Sequence, residues 1–313
     1  MSKVGNIYPA DRVILREVGL RDGLQLVKKF PSTAAKQRWV REEYAAGVRH
    51  FEAGSFLPAK TFPQFADVRE IVATVAELPG AHGIVLALNE RGVNEALASG
   101  VGEIASVVSA TEEHSQANAN RSREAAIANV KRLCELRDAS DHKPIVHAAI
   151  SMALGCSIAG DVDPKEVLRL VEKCFEAGVD AVGIADTVGY AGPKAVGDLT
   201  RAAVKLAGSK PICVHLHDTR GMGIANASAA LDSGARILDG SLGGLGGCPF
   251  APGATGNVVF EDLVFLCESK GFATGIDIEK LVAVRAILRS EMPGEQLYGG
   301  MARAGLPDKK RAA

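Results

Sequence analysis

Four times along this chain a helix-like run stops at a small residue and a glycine, and a β-rich run begins. The segments are AAGVRHFE, ASGVGEIA, EAGVDAVG and DSGARILD. Glycine past a helix end followed by an apolar strand is the joint of an αβ unit. Eight β-rich runs can be placed, over 12–18, 48–53, 83–88, 103–109, 145–151, 180–185, 211–217 and 236–241. Amphipathic helical runs lie between and after them, over 32–46, 63–77, 90–99, 121–138, 164–177, 193–207, 222–233 and 257–270. Ser32 and Asp163-Pro164 supply N-terminal starts, and Gly47 and Gly178 supply stops.

Such alternation gives a parallel sheet, either a closed barrel or a doubly wound open sheet. The count of eight favours a single (β/α)₈ (TIM) barrel of the α/β class. No G-x-G-x-x-G follows the first strand, which weakens the open, dinucleotide-binding alternative. No linker or composition shift divides the chain, so residues 1–313 read as one catalytic domain. The barrel takes about 12–275, and a C-terminal helical extension takes about 276–304.

With 47% hydrophobic residues the chain can bury a large core, and 36 basic against 37 acidic residues leave no excess charge. Neither nucleic acid nor a membrane surface is an expected partner. The six cysteines, at 134, 156, 174, 213, 248 and 267, form no C-x-x-C pair and suggest no structural zinc. The first residues show no basic segment followed by an apolar one, so a cytoplasmic protein is expected. Barrels of this size often self-associate, and a homo-oligomer, dimer or tetramer, is the expectation.

In a (β/α)₈ barrel, working groups sit at the C-terminal ends of strands. Polar residues gather there. Strand one runs into Glu17-Val18-Gly19-Leu20-Arg21-Asp22-Gly23-Leu24-Gln25, and strand two ends in Glu52. Strand six runs into Asp186, and strand seven ends in His215-Leu216-His217. Strand eight leads to Gly243-Gly244-Leu245-Gly246-Gly247-Cys248, then Asn257. Residues two apart on a strand share a face, so both imidazoles can grip one ion. A lone H-x-H is a weak signal, since both rings can be inert hydrogen-bonding groups. With Asp22 and Asn257 the donor set suits a hard or borderline divalent cation, Mg²⁺ or Mn²⁺. Arg21 can hold a carboxylate or stabilise an oxyanion; alone it reads equally as a surface ion pair. The glycines before Cys248 suit either a simple tight connection or a loop that closes over a site. Glu52 and Asp186, taken singly, fit structural acceptor roles as well.

Taken together, EVGLRDGLQ (17–25), FEAGSF around Glu52, SMALGC (151–156), ADTVG (185–189), HLHDTRG (215–221) and SLGGLGGCPFAPGATGNVVFEDLV (241–264) resemble 3-hydroxy-3-methylglutaryl-CoA lyase. The likeness spans about residues 12–290. It implies metal ligands Asp22, His215, His217 and Asn257. It implies catalytic roles for Arg21, at the carbonyl that becomes the enolate, and for Cys248, as a proton-transfer group, with Asp186, Glu52 and His215 in the site. It places Arg21, Gln25 and Lys28 near an acyl-CoA substrate. The implied reaction is a retro-Claisen cleavage to acetyl-CoA and acetoacetate, with Asp186 or His215 as base.

Two positions depart from the family pattern. Ala149 stands where many members carry Tyr, and Gly183 where they carry Ser. Both substitutions should enlarge the substrate pocket and remove hydrogen bonds. Citramalyl-CoA or a branched isoprenoid glutaryl-CoA then stand as alternative substrates. A 4-hydroxy-2-keto acid aldolase or condensing synthase, and a non-catalytic metal- or ligand-binding protein, are the remaining alternatives.

Overall fold

The computed structural model describes residues 3–247 and 256–307. Eight parallel strands close in strict sequence order, β1 pairing with β8 through Ile14–Ile237 to Glu17–Gly240. The strands are β1 (Ile14–Glu17), β2 (His50–Ser55), β3 (His82–Leu86), β4 (Glu103–Ser109), β5 (Ile145–Ser151), β6 (Ala181–Asp186), β7 (Ile212–Leu216) and β8 (Ile237–Gly240). The expected closed barrel is therefore the observed one, each strand lying within two residues of its predicted start.

Around it lie α1 (Lys3–Ile7), α2 (Thr33–Ala46), α3 (Val68–Ala76), α4 (Glu90–Ala98), α5 (Glu112–Ala119) and α6 (Arg123–Ala139). The chain continues through α7 (Pro164–Glu176), α8 (Pro193–Ala207), α9 (Gly223–Asp232), α10 (Phe260–Ser269), α11 (Ile278–Glu291) and α12 (Gly300–Ala304). The helix starts work as the sequence suggests. Ser32 Oγ accepts from the amide of Ala35, and Asp163 accepts from that of Lys165 with Pro164 at the first turn. Gly47 leaves α2 with φ 110°, in the left-handed region that costs glycine little.

Three features differ from the sequence reading. The run 63–77 breaks into a short 3₁₀ turn, Pro63–Phe65, and α3. An additional helix, α5, follows β4; it has almost no hydrophobic face, so periodicity gives no sign of it. At the chain's start, α1 lies under the barrel, and Tyr8 just after it donates from its hydroxyl to Glu103 Oε2 at 2.6 Å. Tyr8 packs with Ile145, Cys213 and Ile237, so the N-terminal end of the barrel is stoppered.

The main core fills the layer between strands and helices, with Trp39, Phe51 and Phe260 fully buried. Among the described residues no helix is long and apolar enough to cross a membrane.

Candidate active site

The mouth of the barrel holds a cavity of about 290 Å³. Its first two residues come from the turn after β1. That turn is a single wide helical turn, Gly19–Gly23, in which the carbonyl of Val18 takes the amides of Arg21, Asp22 and Gly23. Wide turns of this kind often sit at functional sites because they push out an extra side chain. Here they present Arg21 and Asp22 to the cavity. Glu17, pointing the other way, pins the turn: its Oε1 accepts from the amides of Gly19 and Leu242, both at 2.9 Å. The turn after β1 is thereby tied to the loop after β8.

On β2 the register with β3 shifts between Glu52 and Gly54. A bulge re-aims the side chains beside it, and Glu52 faces the cavity. Its Oε1 lies 2.7 Å from Arg21 Nε. Burial raises the Glu52 carboxyl above its ordinary pKa, and the Arg21 guanidinium offsets only part of that rise. Oε2 of Glu52 is buried without a hydrogen-bond partner among the described residues.

His215, on β7, and His217, just past its end, both face the cavity. Their Nε2 atoms lie 3.1 Å apart, and Asp22 Oδ2 lies 3.9 Å from the first and 3.7 Å from the second. Asn257 is delivered by a backbone bridge to His217 and donates from Nδ2 to Asp22 Oδ2 at 2.7 Å. Gly246 permits this approach, since a Cβ there would lie 2.7 Å from that same amide nitrogen. The remaining oxygen of Asn257, Oδ1, is buried and unpartnered. Three donors within 4.8 Å of one another, and an orphaned amide oxygen beside them, fit a divalent cation.

The electrostatics agree. Burial alone would raise Asp22, but Arg21, His215 and His217 bring its carboxyl down to about 2. Burial, with His215 beside it, lowers His217 to about 4, so its ring is neutral at pH 7 and free to act as a ligand. His215 runs the opposite way. Burial lowers it, yet the hydrogen bond to Asp239 and the charge of Asp22 leave it above its usual value.

Asp239 and Arg16 are the residues that sequence reasoning missed. Asp239 Oδ2 is 3.0 Å from His215 Nδ1, and Asp239 is clamped by Arg16 Nε and Nη2 at 2.6 and 2.9 Å. Burial disfavours the carboxylate, but Arg16 and His215 hold its pKa far below the ordinary range. A carboxylate on Nδ1 fixes the tautomer that leaves Nε2 free for an ion. The signal is Arg16 in RVILREV and Asp239 in RILDGS, charged residues that interrupt apolar strands at inward-facing positions.

The predicted residues separate into four groups. Arg21, Asp22, Gln25, Glu52, Ala149, Gly183, His215 and His217 all line the cavity. Asn257 stands directly behind Asp22. Asp186 does not line it, a correction to the sequence reading. Gly183, Ala185 and Thr187 take the inward positions of β6, so Asp186 faces the helices. Its oxygens accept the amides of Tyr190 and Ala191 at 2.8 and 3.1 Å, which shapes the β6–α8 loop. Lys28 is exposed and is also absent from the cavity wall. Cys248 lies outside the described residues; Gly247, its neighbour in sequence, lines the cavity.

Gly183 corrects a second expectation. It leaves no empty slot, because His147 fills the space: a Cβ at 183 would lie 2.7 Å from His147 Nε2. Ala149 lines the cavity. Across from the polar residues, Ile84, Leu86, Leu88, Ala105 and Val107 form a separate apolar cluster inside the barrel.

A parallel barrel with a cation-binding donor set, a buried guanidinium and a half-apolar cavity at its C-terminal mouth defines an α/β-barrel of the enzyme type. Comparison with known proteins narrows this. Residues 12–288 match the model of the HMGL-like family, and the chain belongs to that family. It is 38% identical over 271 residues to a 3-hydroxy-3-isohexenylglutaryl-CoA/hydroxymethylglutaryl-CoA lyase of Pseudomonas aeruginosa, covering 87% of this chain and 90% of that one. It is 34% identical over 285 residues to the hydroxymethylglutaryl-CoA lyase of Bacillus subtilis, covering 91% and 94%. Among solved structures it is similar to an HMG-CoA lyase of Acinetobacter baumannii in complex with coenzyme A and 3-methylmalate. That match has a TM-score of 0.89 and 32% identity, over 96% of this chain and 97% of that one.

Proposed function

We propose that this chain is a divalent-cation-dependent carbon–carbon lyase that cleaves 3-hydroxy-3-methylglutaryl-CoA to acetyl-CoA and acetoacetate. The observation that carries the reading is the juxtaposition of Asp22, Asn257, His215 and His217 with Arg21 at one end of the cavity. Relatives over most of the chain bear that activity in their names, and one related structure holds coenzyme A, which supports an acyl-CoA substrate.

Asp22, His215, His217 and Asn257 Oδ1 would hold Mg²⁺ or Mn²⁺. Bound there, the ion supplies Lewis acidity to the substrate hydroxyl. The protein does the rest. One group on this wall can take the hydroxyl proton, Glu52 through its unpartnered Oε2; His215, with Nε2 given to the ion and Nδ1 anchored on Asp239, keeps no lone pair for it. With Asp186 turned outward, it drops from that role. As the proton leaves, the bond between the hydroxyl-bearing carbon and the thioester's α-carbon breaks. Its electron pair becomes the enolate of acetyl-CoA, and the former alcohol becomes the ketone of the keto acid. Arg21, held by Glu52 and by Asp22 Oδ1 at 2.7 Å, stabilises the enolate oxygen. A proton delivered to carbon by Cys248 completes acetyl-CoA.

The test is direct. Purified protein with Mn²⁺ should convert 3-hydroxy-3-methylglutaryl-CoA to acetyl-CoA and acetoacetate, identified by mass, and a chelator should stop it. Cleavage of a 4-hydroxy-2-keto acid with no cleavage of any 3-hydroxyacyl-CoA would overturn the assignment in favour of an aldolase.

A further inference from the structure

The stretch from Leu26 to Pro31 joins the wide turn after β1 to α2. Its main chain makes no backbone hydrogen bond among the described residues, and Leu26, Lys28, Lys29 and Phe30 are exposed. The side chain of Gln64 anchors its start. Gln64 lies in the short turn Pro63–Phe65 after β2, only 6% exposed, and donates from Nε2 to the carbonyl of Gln25 at 2.8 Å. The carbonyl of Gln64 is held in turn. Lys36 of α2, 3% exposed, donates to it from Nζ at 2.6 Å and reaches both oxygens of Asp67 at 2.7 and 3.0 Å. A buried ammonium whose donors are taken up this way fixes the groups around it.

Gln25, the residue so anchored, touches Arg21. Arg21 Nη1 donates to Gln25 Oε1 at 3.2 Å and to Asp22 Oδ1 at 2.7 Å, and its Nε lies 2.7 Å from Glu52 Oε1. The sense of both amides is fixed by what they face. A guanidinium only donates, so the Gln25 atom against it is oxygen; a carbonyl only accepts, so the Gln64 atom against Gln25 is nitrogen. Asp22 stands on the wide turn and Glu52 on β2, each with a rigid element beneath it. Gln25 stands past the turn, and its place depends on Gln64. Two contacts leave a planar guanidinium able to tilt about the line joining them. The third removes that freedom.

We infer that Gln64 is a positioning residue for the proposed cleavage. It sets Gln25 through the main chain, and the Gln25 amide sets the angle at which Arg21 meets the developing enolate oxygen. Gln64 does not itself line the cavity. The inference rests on the lyase reading above and adds to it a residue outside the cavity wall. Misplacing a catalytic group by about 1 Å can cost about a hundredfold in rate. A contact that acts only in the transition state lowers kcat and kcat/KM together and leaves KM in place.

Gln64→Met, alone and combined with Gln25→Ala, tests it. Methionine keeps the length of glutamine and removes the donor. Lys36 is left in place, because removing one partner of a buried ion pair threatens the fold. With 3-hydroxy-3-methylglutaryl-CoA and Mn²⁺, Gln64→Met should lower kcat and kcat/KM alike by about tenfold, the scale of one hydrogen bond. Mn²⁺ affinity, measured by calorimetry, should stay as in the wild type. In the Gln25→Ala background the same substitution should cost less than about twofold, because its route to Arg21 is already gone. Gln64→Glu, the same shape with no donor in its ionised form, should show the same loss as Gln64→Met. Thermal melts establish that the variants fold. Unchanged kcat in both Gln64 variants, a rise in KM alone, or an equal loss in both backgrounds overturns the inference and leaves the lyase assignment standing. Failure of the wild type to cleave the thioester overturns both.

Discussion

The two halves of the barrel's lumen are built to different rules. The wall made by β1, β2, β7 and β8 is charged: Arg16, Arg21, Asp22, Glu52, His215, His217 and Asp239 all face inward there. The wall made by β3 to β6 carries Ile84, Leu86, Ala105, Val107, Ala149, Gly183 and Ala185, with His147 and Ser151 as its polar members. The first half brings opposite charges into contact and satisfies most of them, which rigidifies the groups that act. The second half offers volume and few bonds, which suits a wall that decides what fits. In the proposed reaction the chemistry falls to the first half and the fit of the substrate to the second, and Arg16 ties the two together through Glu103 and His147.

The largest expected effect lies on the charged half. Arg21→Met should lower kcat by about a thousandfold, the scale of losing a preorganised oxyanion donor. Mn²⁺ affinity, measured by calorimetry, should change far less. A comparable loss of metal binding would mean that Arg21 serves the donor set and not the reacting carbonyl. Next comes the support behind His215. Asp239→Asn should weaken Mn²⁺ binding about 10- to 100-fold, as loss of an outer hydrogen bond to a metal-bound histidine does. Unchanged affinity would show that Arg16 and Asp239 merely fill the lumen. On the apolar half, Ala149→Tyr should shift the kcat/KM ratio towards the methyl-bearing thioester, away from long-branched ones, by about tenfold. If the ratio stays constant, the branch does not enter the lumen.

The smallest effect falls outside both halves. Burial raises the Glu17 carboxyl to about 8, despite the two amides it accepts. A carboxyl with a raised folded-state pKa contributes stability below its ordinary value, and that contribution is lost as pH climbs through the raised one. Tm should therefore decline between about pH 4.5 and 8. In Glu17→Gln that part of the slope should flatten, and an unchanged slope would place the titration elsewhere.

The same division explains what the sequence could reveal. Glycine stops and strand spacing announced the closed barrel, because local signals and topology agree at each αβ joint. Asp22, His215 and His217 were legible because strand ends and period-two spacing place them without knowledge of neighbours. Asp186 was misread for a physical reason. It ends a strand, but alternation turns it outward, and the phase of that alternation on β6 is set by packing. Gly183 was read as an absence, when its meaning depends on His147, 36 positions away and on another strand. Arg16 and Asp239 meet across the β1–β8 closure, 223 residues apart, so no local pattern joins them.

Tyr8 and α1 pack across the far end of this lumen, so among the described residues the cavity opens at the C-terminal mouth of the barrel. A vessel with one opening imposes an order on departures. In the proposed reaction the thioester fragment lies nearer the mouth, with its coenzyme outside, and the keto acid lies deeper, carrying the branched carbon. Acetyl-CoA must leave first and the keto acid second. Turnover with long-branched substrates is then paced by the last product's exit, and the keto acid should inhibit by competing with the incoming acyl-CoA for the empty lumen.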